Sequence, residues 1–373
     1  MGRTIDTPAV ARPGASPGAP EAPPGRAAEA PVEGAPSLEE QYAAMIADCG
    51  VVDRSERGKL ALTGPDAVTF LNGQVTNELA DLLPGDGRYA AFLTHKGKML
   101  GDLRVLAVGE LADRGGEPVV RELLLDTERV ALQPLFDMIR RFRVGYDLEL
   151  HKRTLECGLL SLLGPRSLEV ARAAVAEELD WEAREHGHVP ATIAGHPVRL
   201  VGVAGGNVDV LIDLTDVQPE ERAGGREAVW DALVAAGAAP TGEPAAEVLR
   251  VELGVPRFGL DMDETTIPQE AGLNERAVSF TKGCYVGQET VARLHYRGKP
   301  NRHLRGLRLS EPTATGAELR AGERVVGTLT SSVTSPRVGP IGLALVRREA
   351  RPGDTVAVGD GAGRAEIVTL PFG

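Results

Sequence analysis

Two copies of the pattern L-x-L-x-G-P, Leu60-Ala-Leu-Thr-Gly-Pro65 and Leu160-Ser-Leu-Leu-Gly-Pro165, constrain the fold more than any other feature of the chain. Each reads as a short strand with alternate Leu side chains on one face, then a Gly turn. The Pro suits the first position of a helix, where a missing N–H costs no hydrogen bond. A second echo follows in the same order: Glu122-Leu-Leu-Leu-Asp126 and Asp209-Val-Leu-Ile-Asp213 are apolar strand cores leading into helical stretches, Thr127–Arg141 and Pro219–Ala236. The repetition predicts two related α+β units, residues 37–150 and 151–299, within what a chain of 373 residues can hold.

The two ends differ from this body. Runs at Leu304–Leu309, Arg324–Thr330, Ile341–Val346, Thr355–Val358 and Ala365–Leu370 alternate with Gly and Pro, predicting a small β-barrel over residues 300–373. Residues 1–36 are mostly Pro, Ala and Gly without an aromatic side chain. They offer too little apolar surface to offset the entropy of ordering, so a disordered tail is expected there. Order is predicted to begin at Ser37-Leu-Glu-Glu40, a capping box opening a helix that runs from Leu38 towards Asp48.

Asp and Glu number 53 against 41 Lys and Arg, a net charge of −12 that argues against a general binder of nucleic acid or anionic membrane. With only 4% aromatic residues the core must be aliphatic. Cys49, Cys157 and Cys284 lie far apart with no C-x-x-C spacing. That excludes a disulfide framework, a zinc knuckle and a self-contained four-cysteine iron–sulfur site. No stretch nears the ~20 apolar residues of a membrane span, and the M-G-R-T-I-D start lacks a secretory core. A cytoplasmic protein without membrane contact is expected. No metal site is expected either: His186-Gly-His188 stands in a polar stretch without a further ligand nearby.

The stretch richest in chemistry runs from Ser279 to Pro300, S-F-T-K-G-C-Y-V-G-Q-E-T-V-A-R-L-H-Y-R-G-K-P, preceded by Val251-E-L-G-V-P-R-F-G-L-D and Ile267-P-Q-E-A-G-L. The residues after Cys284 have a helical pattern, with Glu289 and Arg293 at i,i+4. A thiol near a helix N-terminus, with Lys282 beside it, is biased towards the nucleophilic thiolate. Gly283 and Gly287 would let the backbone approach a ligand. The same residues also fit a Gly-flanked turn around a small buried thiol.

K-G-C-Y-V-G-Q-E, with the S-F and P-Q-E-A-x-L elements before it and A-R-x-x-Y-R-G after, resembles the signature of the YgfZ family. Those are folate-binding proteins linked to iron–sulfur cluster assembly and repair, within the superfamily of the glycine-cleavage T-protein, a tetrahydrofolate-dependent aminomethyltransferase. Leu62-T-G-P-D-A-V-T-F-L-N-G-Q-V-T-N resembles that superfamily as a whole, and the likeness covers roughly residues 38–373. It implies a fold of two α+β units around a central folate cavity closed by a β-barrel. The implied roles are Cys284 as the reactive thiol, and Lys282, Gly283, Tyr285, Gly287, Gln288, Glu289, Arg250 and Asp102 around tetrahydrofolate or another reduced folate. Two positions depart from the T-protein pattern. Gly101-Asp102 stands where T-proteins carry an adjacent acidic pair, and Val203-A-G-G-N where they carry a Y-T-G-E-like run. Arg250 reads equally as an exposed helix charge.

From Thr290 to Ser310 the chain carries Arg293, Arg297, Lys299, Arg302, Arg305 and Arg308 and no acid. A solvated face is the ordinary account of such a strip. The sharper ones are an anion site for the folate tail or a weak tRNA contact through Arg293–Arg308. The function expected from the likeness is a tetrahydrofolate-binding accessory factor working with iron–sulfur client or assembly proteins. A folate-dependent aminomethyl or one-carbon transferase and a tRNA-modification accessory protein are the alternatives.

Overall fold

The computed structural model describes residues 36–110 and 118–373. The tail expected over residues 1–36 lies, but for Pro36, outside them. Helix α1 (Leu38–Ala47) opens with the capping box: the Ser37 hydroxyl accepts from Glu40 N at 3.2 Å, and Ser37 N donates to the Glu40 carboxylate at 2.7 Å. Then come β1 (Gly50–Asp53), β2 (Gly58–Thr63), α2 (Ala67–Asn72), β3 (Gly87–Leu93), β4 (Met99–Glu110), β5 (Val119–Thr127), α3 (Leu132–Phe142) and β6 (Glu149–Lys152). The second pass is β7 (Cys157–Leu163), α4 (Ser167–Ala174), β8 (His188–Ile193), β9 (His196–Val203), β10 (Asn207–Asp213), α5 (Arg222–Ala235) and β11 (Ala239–Pro240). From β2 to α3 and from β7 to α5 the order is the same: strand, helix, three strands, helix.

The strand orders repeat too, β3-β4-β5-β2-β6 in one sheet and β8-β9-β10-β7-β1-β11 in the other. The fifth strands are exchanged. β1 precedes β2 in sequence yet pairs antiparallel with β7, Val51 opposite Leu162; β6 precedes β7 yet pairs with β2, Leu150 opposite Leu62. The loops repeat the same backbone hydrogen bond. Arg54 N donates to Leu159 O at 2.8 Å and Arg153 N to Lys59 O at 3.0 Å. Each sheet is therefore completed by the segment that leads into the other.

The glycines of the repeated motif make this exchange possible. Gly64 and Gly164 have φ of +107° and +134°. A Cβ on Gly64 would lie 2.6 Å from Asp147 O, and one on Gly164 2.4 Å from Asp48 O. Asp147 and Asp48 lie just ahead of the exchanged strands, so the chain turns tightly against the crossing segment. The prolines sit in the turns, and the helices start at Ala67 and Ser167, two residues later than the Pro signal predicts. The second echo is real but shifted by two residues. Leu60 opposes Leu125 and Leu160 opposes Val210, so Glu122 matches Asn207 rather than Asp209.

Helices α6 (Glu243–Glu252), α7 (Asn274–Ala277) and α8 (Gln288–Arg297) follow. Phe258, Met262, Leu273, Ala277, Tyr285 and Val291 are buried in the core of the first sheet, although they come after the second in sequence. The barrel is closed and six-stranded: β12 (Arg302–Leu309), β13 (Glu318–Ala321), β14 (Arg324–Ser335), β15 (Gly339–Arg347), β16 (Thr355–Val358) and β17 (Arg364–Val368). β13 carries no sequence signal, because three of its four residues are polar or small and it is fixed only by its pairing with β14 and β16. No helix of the described residues is long and apolar enough to cross a membrane.

Gly164→Ala is expected to lower stability by roughly 3 kcal/mol, because it adds strain at positive φ and a clash with the crossing backbone. Gly224→Ala, where a Cβ meets nothing within 4 Å, should raise stability by about 0.5 kcal/mol. Urea unfolding of both variants checks the pair.

Candidate active site

Between the two sheets lies a cavity of about 210 Å3. β4 brings Asp102 and Arg104 to it, two residues apart and therefore on one face of the strand. Tyr89 comes from β3, Asp126 from β5, and Ser161 and Asp209 from the second sheet. Arg104 is the hub. It donates through Nη2 to Asp126 at 3.0 Å and through Nη1 to Asp209 at 2.7 Å, joining the two sheets. Asp209 also accepts from Ser161 Oγ at 2.6 Å, and Asp126 from Arg57 Nε at 2.9 Å. Burial would raise Asp126, but Arg57 and Arg104 outweigh it and hold the group below the ordinary carboxylate range.

Asp102 behaves in the opposite way. It is buried and has no ion-pair partner among the described residues; Tyr89 Oη donates to it at 2.5 Å. Burial pushes its pKa up to about 6, opposed by the Tyr89 hydrogen bond, reinforced by the charge of Glu128 and opposed again by Arg57. A carboxyl group tuned this near neutrality takes up and releases a proton readily at physiological pH. On the same wall, burial and then Arg104 lower His186 to about 4, so its ring is neutral. His186 Nδ1 and Arg104 Nε are buried without a hydrogen-bond partner among the described residues, and both residues line the cavity. Unfilled hydrogen-bonding positions of this kind suit a polar ligand.

The sequence matches the GCVT N-terminal domain over residues 32–205 and the glycine cleavage T-protein C-terminal barrel domain over residues 302–372. The aminomethyltransferase of Streptomyces coelicolor is 30% identical over 347 residues, covering 90% of this chain and 89% of that protein. The chain belongs to the glycine cleavage T-protein family. A putative chloroplastic transferase of Arabidopsis thaliana is 29% identical over 314 residues, covering 83% of this chain and 68% of that protein. The fold matches the glycine cleavage system aminomethyltransferase T of Bartonella henselae with a TM-score of 0.75 at 21% identity, covering 90% and 89% of the two chains.

Of the site residues named from sequence, Asp102 alone lines this cavity. An acid beside it has no room in this member of the T-protein family. A Cβ on Gly101 would lie 2.6 Å from both Ala131 Cβ and the Phe92 ring. Arg250 is buried in α6, donating to Glu247 at 2.6 Å, Asp261 at 2.7 Å and Ser331 Oγ at 2.6 Å. It ties the helix to the barrel. Lys282 sends its ammonium group inward, to Asn72 O at 2.6 Å, Asn72 Oδ1 at 2.9 Å, Val75 O at 3.0 Å and Asn77 O at 2.6 Å. Burial lowers its pKa to about 8, which leaves it charged at neutral pH. Tyr285 is buried beneath it, and burial raises that phenol to about 12.

Cys284 is exposed, whereas Cys49 and Cys157 are buried and burial raises both of their pKa values. Gly283 has open space around it, but Gly287, at φ +84°, serves a protein contact: a Cβ there would lie 2.6 Å from Thr94 O in the β3–β4 turn. Gln288 donates from Nε2 to Gly283 O at 3.3 Å, and Glu289 is exposed on α8. The motif thus braces the cavity wall from behind. Asn77, which Lys282 holds, donates from Nδ2 to Tyr89 O at 2.8 Å and Arg276 O at 3.2 Å, and both of those residues line the cavity.

The basic strip divides. Arg302 pairs with Glu270 at 2.9 Å and Arg308 donates to Gly373 O at 3.1 Å. Arg293, Arg297 and Lys299 are exposed and have no ion-pair partner among the described residues. Sequence reasoning missed Tyr89, Arg104, Asp126, His186 and the cavity role of Asp209. The available signal was the charge of Asp102 and Arg104 inside a strand otherwise apolar from Leu103 to Val108.

The linkage signs are opposite for Asp102 and the histidines. Asp102, raised from 3.8 to about 6, imposes a cost on folding that is fully present above pH 6 and fades as pH falls towards 4. His186 is lowered to about 4 and His188, by burial and Arg199, to about 3. Their effect is stability lost as pH falls below their unfolded value of about 6.5. Asp102→Asn isolates the first effect. It should stabilise the protein by on the order of 2 kcal/mol at about pH 8 and by roughly a third as much at about pH 4.5, the gain vanishing only below the unfolded value near 4, measured by denaturant unfolding at both.

Proposed function

We propose that this protein binds tetrahydrofolate or a related reduced folate in the cavity between the sheets and transfers a one-carbon group there, with Asp102 handling the proton. The observation that carries this reading is the buried carboxyl of Asp102, without an ion-pair partner among the described residues and held near neutrality beside Tyr89. The names of the full-length relatives, aminomethyltransferase, support the same chemistry. The residues present fit a folate. A pterin edge carries both donors and acceptors, which the unfilled positions at His186 Nδ1 and Arg104 Nε complement. Arg54 and Arg276 at the cavity wall pair with Glu243 at 2.9 Å and Glu185 at 2.6 Å, and a folate tail carboxylate would share those guanidiniums.

When bound, tetrahydrofolate supplies the ring nitrogen that accepts a one-carbon unit. The chain's own part is positional and electrostatic. Tyr89 donates to Asp102 and fixes the direction of its free oxygen, while Arg104 takes Asp126 and Asp209 as its ion-pair partners and leaves Asp102 as the carboxyl of this group without a cation. One acid, not an adjacent pair, does this work, since Gly101 leaves no space for a second.

A second reading is favoured by Cys284, the exposed cysteine of a K-G-C-Y-V-G-Q-E motif that lies outside the cavity lining. An accessory role for iron–sulfur client or assembly proteins would use that thiol, and one cysteine would need a partner's ligands to hold a cluster. The two readings separate by mutation. The purified protein is expected to bind tetrahydrofolate and to form methylene-tetrahydrofolate from an aminomethyl donor. Asp102→Asn should lower that rate at least ~100-fold while retaining folate binding, and Cys284→Ala should leave it unchanged. Folate binding without turnover in the parent overturns the transferase. If, in addition, Cys284→Ala fails to restore four-iron enzymes in cells lacking the protein, the accessory role stands instead.

A further inference from the structure

A second cavity, also about 210 Å3, lies between the sheets at the counterpart of the first. The strand registers fix the correspondence. Val105 opposes Leu125 as Leu200 opposes Val210, which makes Arg199 the counterpart of Arg104. Tyr89 opposes Arg104 as Pro190 opposes Arg199. By the same count Pro197 stands for Asp102 and Leu211 for Asp126. The two halves share the guanidinium, and the groups around it are polar in the first and apolar in the second.

Arg199 is therefore left in an unusual state. Its counterpart pairs with two carboxylates, but Arg199 pairs with none among the described residues; its Nη1 donates to His188 Nδ1 at 3.0 Å. That acceptor role requires a neutral imidazole, and burial and the charge of Arg199 depress His188 to about 3. A half-buried guanidinium resting on a neutral ring retains most of its donors for another partner. At the exposed rim of the same cavity, Asp213 accepts from Thr215 N at 3.0 Å and has no cationic partner among the described residues. The other two charged residues lining the space, Glu122 and Arg153, pair at 3.7 Å, and Arg153 also pairs with Glu156 at 2.9 Å.

We propose that this second cavity binds a small zwitterion of the α-amino acid class, its carboxylate on Arg199, its ammonium towards Asp213 and its side chain against Pro190, Pro197 and Leu211. Charge balance selects this class. The lining is neutral in sum, two cations against two carboxylates, so a simple anion or cation would leave one of the two unpaired groups unfilled and add net charge to a half-open, partly desolvated space. A zwitterion meets both unpaired groups and adds none. The apolar walls give room for a small or branched aliphatic side chain. The site is separate from the folate cavity and does not depend on what that cavity binds.

Isothermal titration of the full chain with glycine, L-alanine and L-leucine, against propionate and ethylamine as the two half-charged probes, tests the assignment. At least one amino acid should bind tenfold or more tightly than either probe. Arg199→Met and Asp213→Asn should each weaken that binding at least tenfold, with thermal unfolding reporting whether each variant is folded. Asp213 is at the surface, so its variant decides the matter if Arg199→Met does not fold. Propionate binding as tightly as the amino acids, unchanged affinity in Asp213→Asn, or no heat from any amino acid at millimolar concentration would each overturn the proposal.

Discussion

The exchange of β1 and β6 between the two sheets is the constraint on which the remaining structure rests. A strand that completes the sheet of the other repeat makes neither sheet complete alone, so the repeats must fold as one body. The space between the sheets then has fixed walls, because the strands that carry its buried charges, β4, β5 and β10, are interior in their sheets. β4 and β5 neighbour each other on one side, and β7, β9 and β10 adjoin on the other. Side chains at the ends of edge strands could not hold buried charges in register as Arg104, Asp126 and Asp209 are held. The exchange in turn depends on two glycines, where any Cβ would collide with the crossing backbone.

On this near-symmetric frame the chemistry is asymmetric. One half of the intersheet space carries Tyr89, Asp102, Arg104 and Asp126; the corresponding positions of the other carry Pro190, Pro197, Arg199 and Leu211. The polar half is costly to the fold, since it buries a carboxyl that is ionised above about pH 6 without a cationic partner. A group retained in a destabilising environment is commonly one selected for function rather than stability. Asp126 and Asp209 show the contrast: they line the same cavity from opposite sheets, but each is paired with Arg104.

Much of this frame was legible in the sequence. The L-x-L-x-G-P repeat locates β2, β7 and the turns after them, the capping box locates α1, and the alternation of Gly and short apolar runs locates five of the six barrel strands. What was not legible was long-range. The strand exchange leaves no local mark, because Gly50–Asp53 and Glu149–Lys152 are only short segments whose partners lie far away in sequence. The second echo misaligned by two residues because a shift of two keeps every side chain on its face, so the hydrophobic pattern alone cannot register it. The cavity residues were scattered over five strands, and charges at i and i+2 in an apolar strand were the only hint that Asp102 and Arg104 point the same way.

The cysteine motif drew the sequence argument to residues 282–289, yet its lysine works as a clamp. Four oxygens of the 72–77 loop close on Lys282, and Asn77 in that loop reaches Tyr89 and Arg276 at the cavity. The β3–β4 hairpin makes the second connection: its strands carry Tyr89 and Asp102, and its turn packs on Gly287 through Thr94 and on Thr290 through Gly97. The loop that presents Cys284 to solvent is thus fixed to the cavity at two points, both of which converge on the Tyr89–Asp102 pair. A motif so placed constrains the Tyr89–Asp102 pair without lining the cavity. That explains why residues so distinctive in sequence stand behind the cavity wall and not on it.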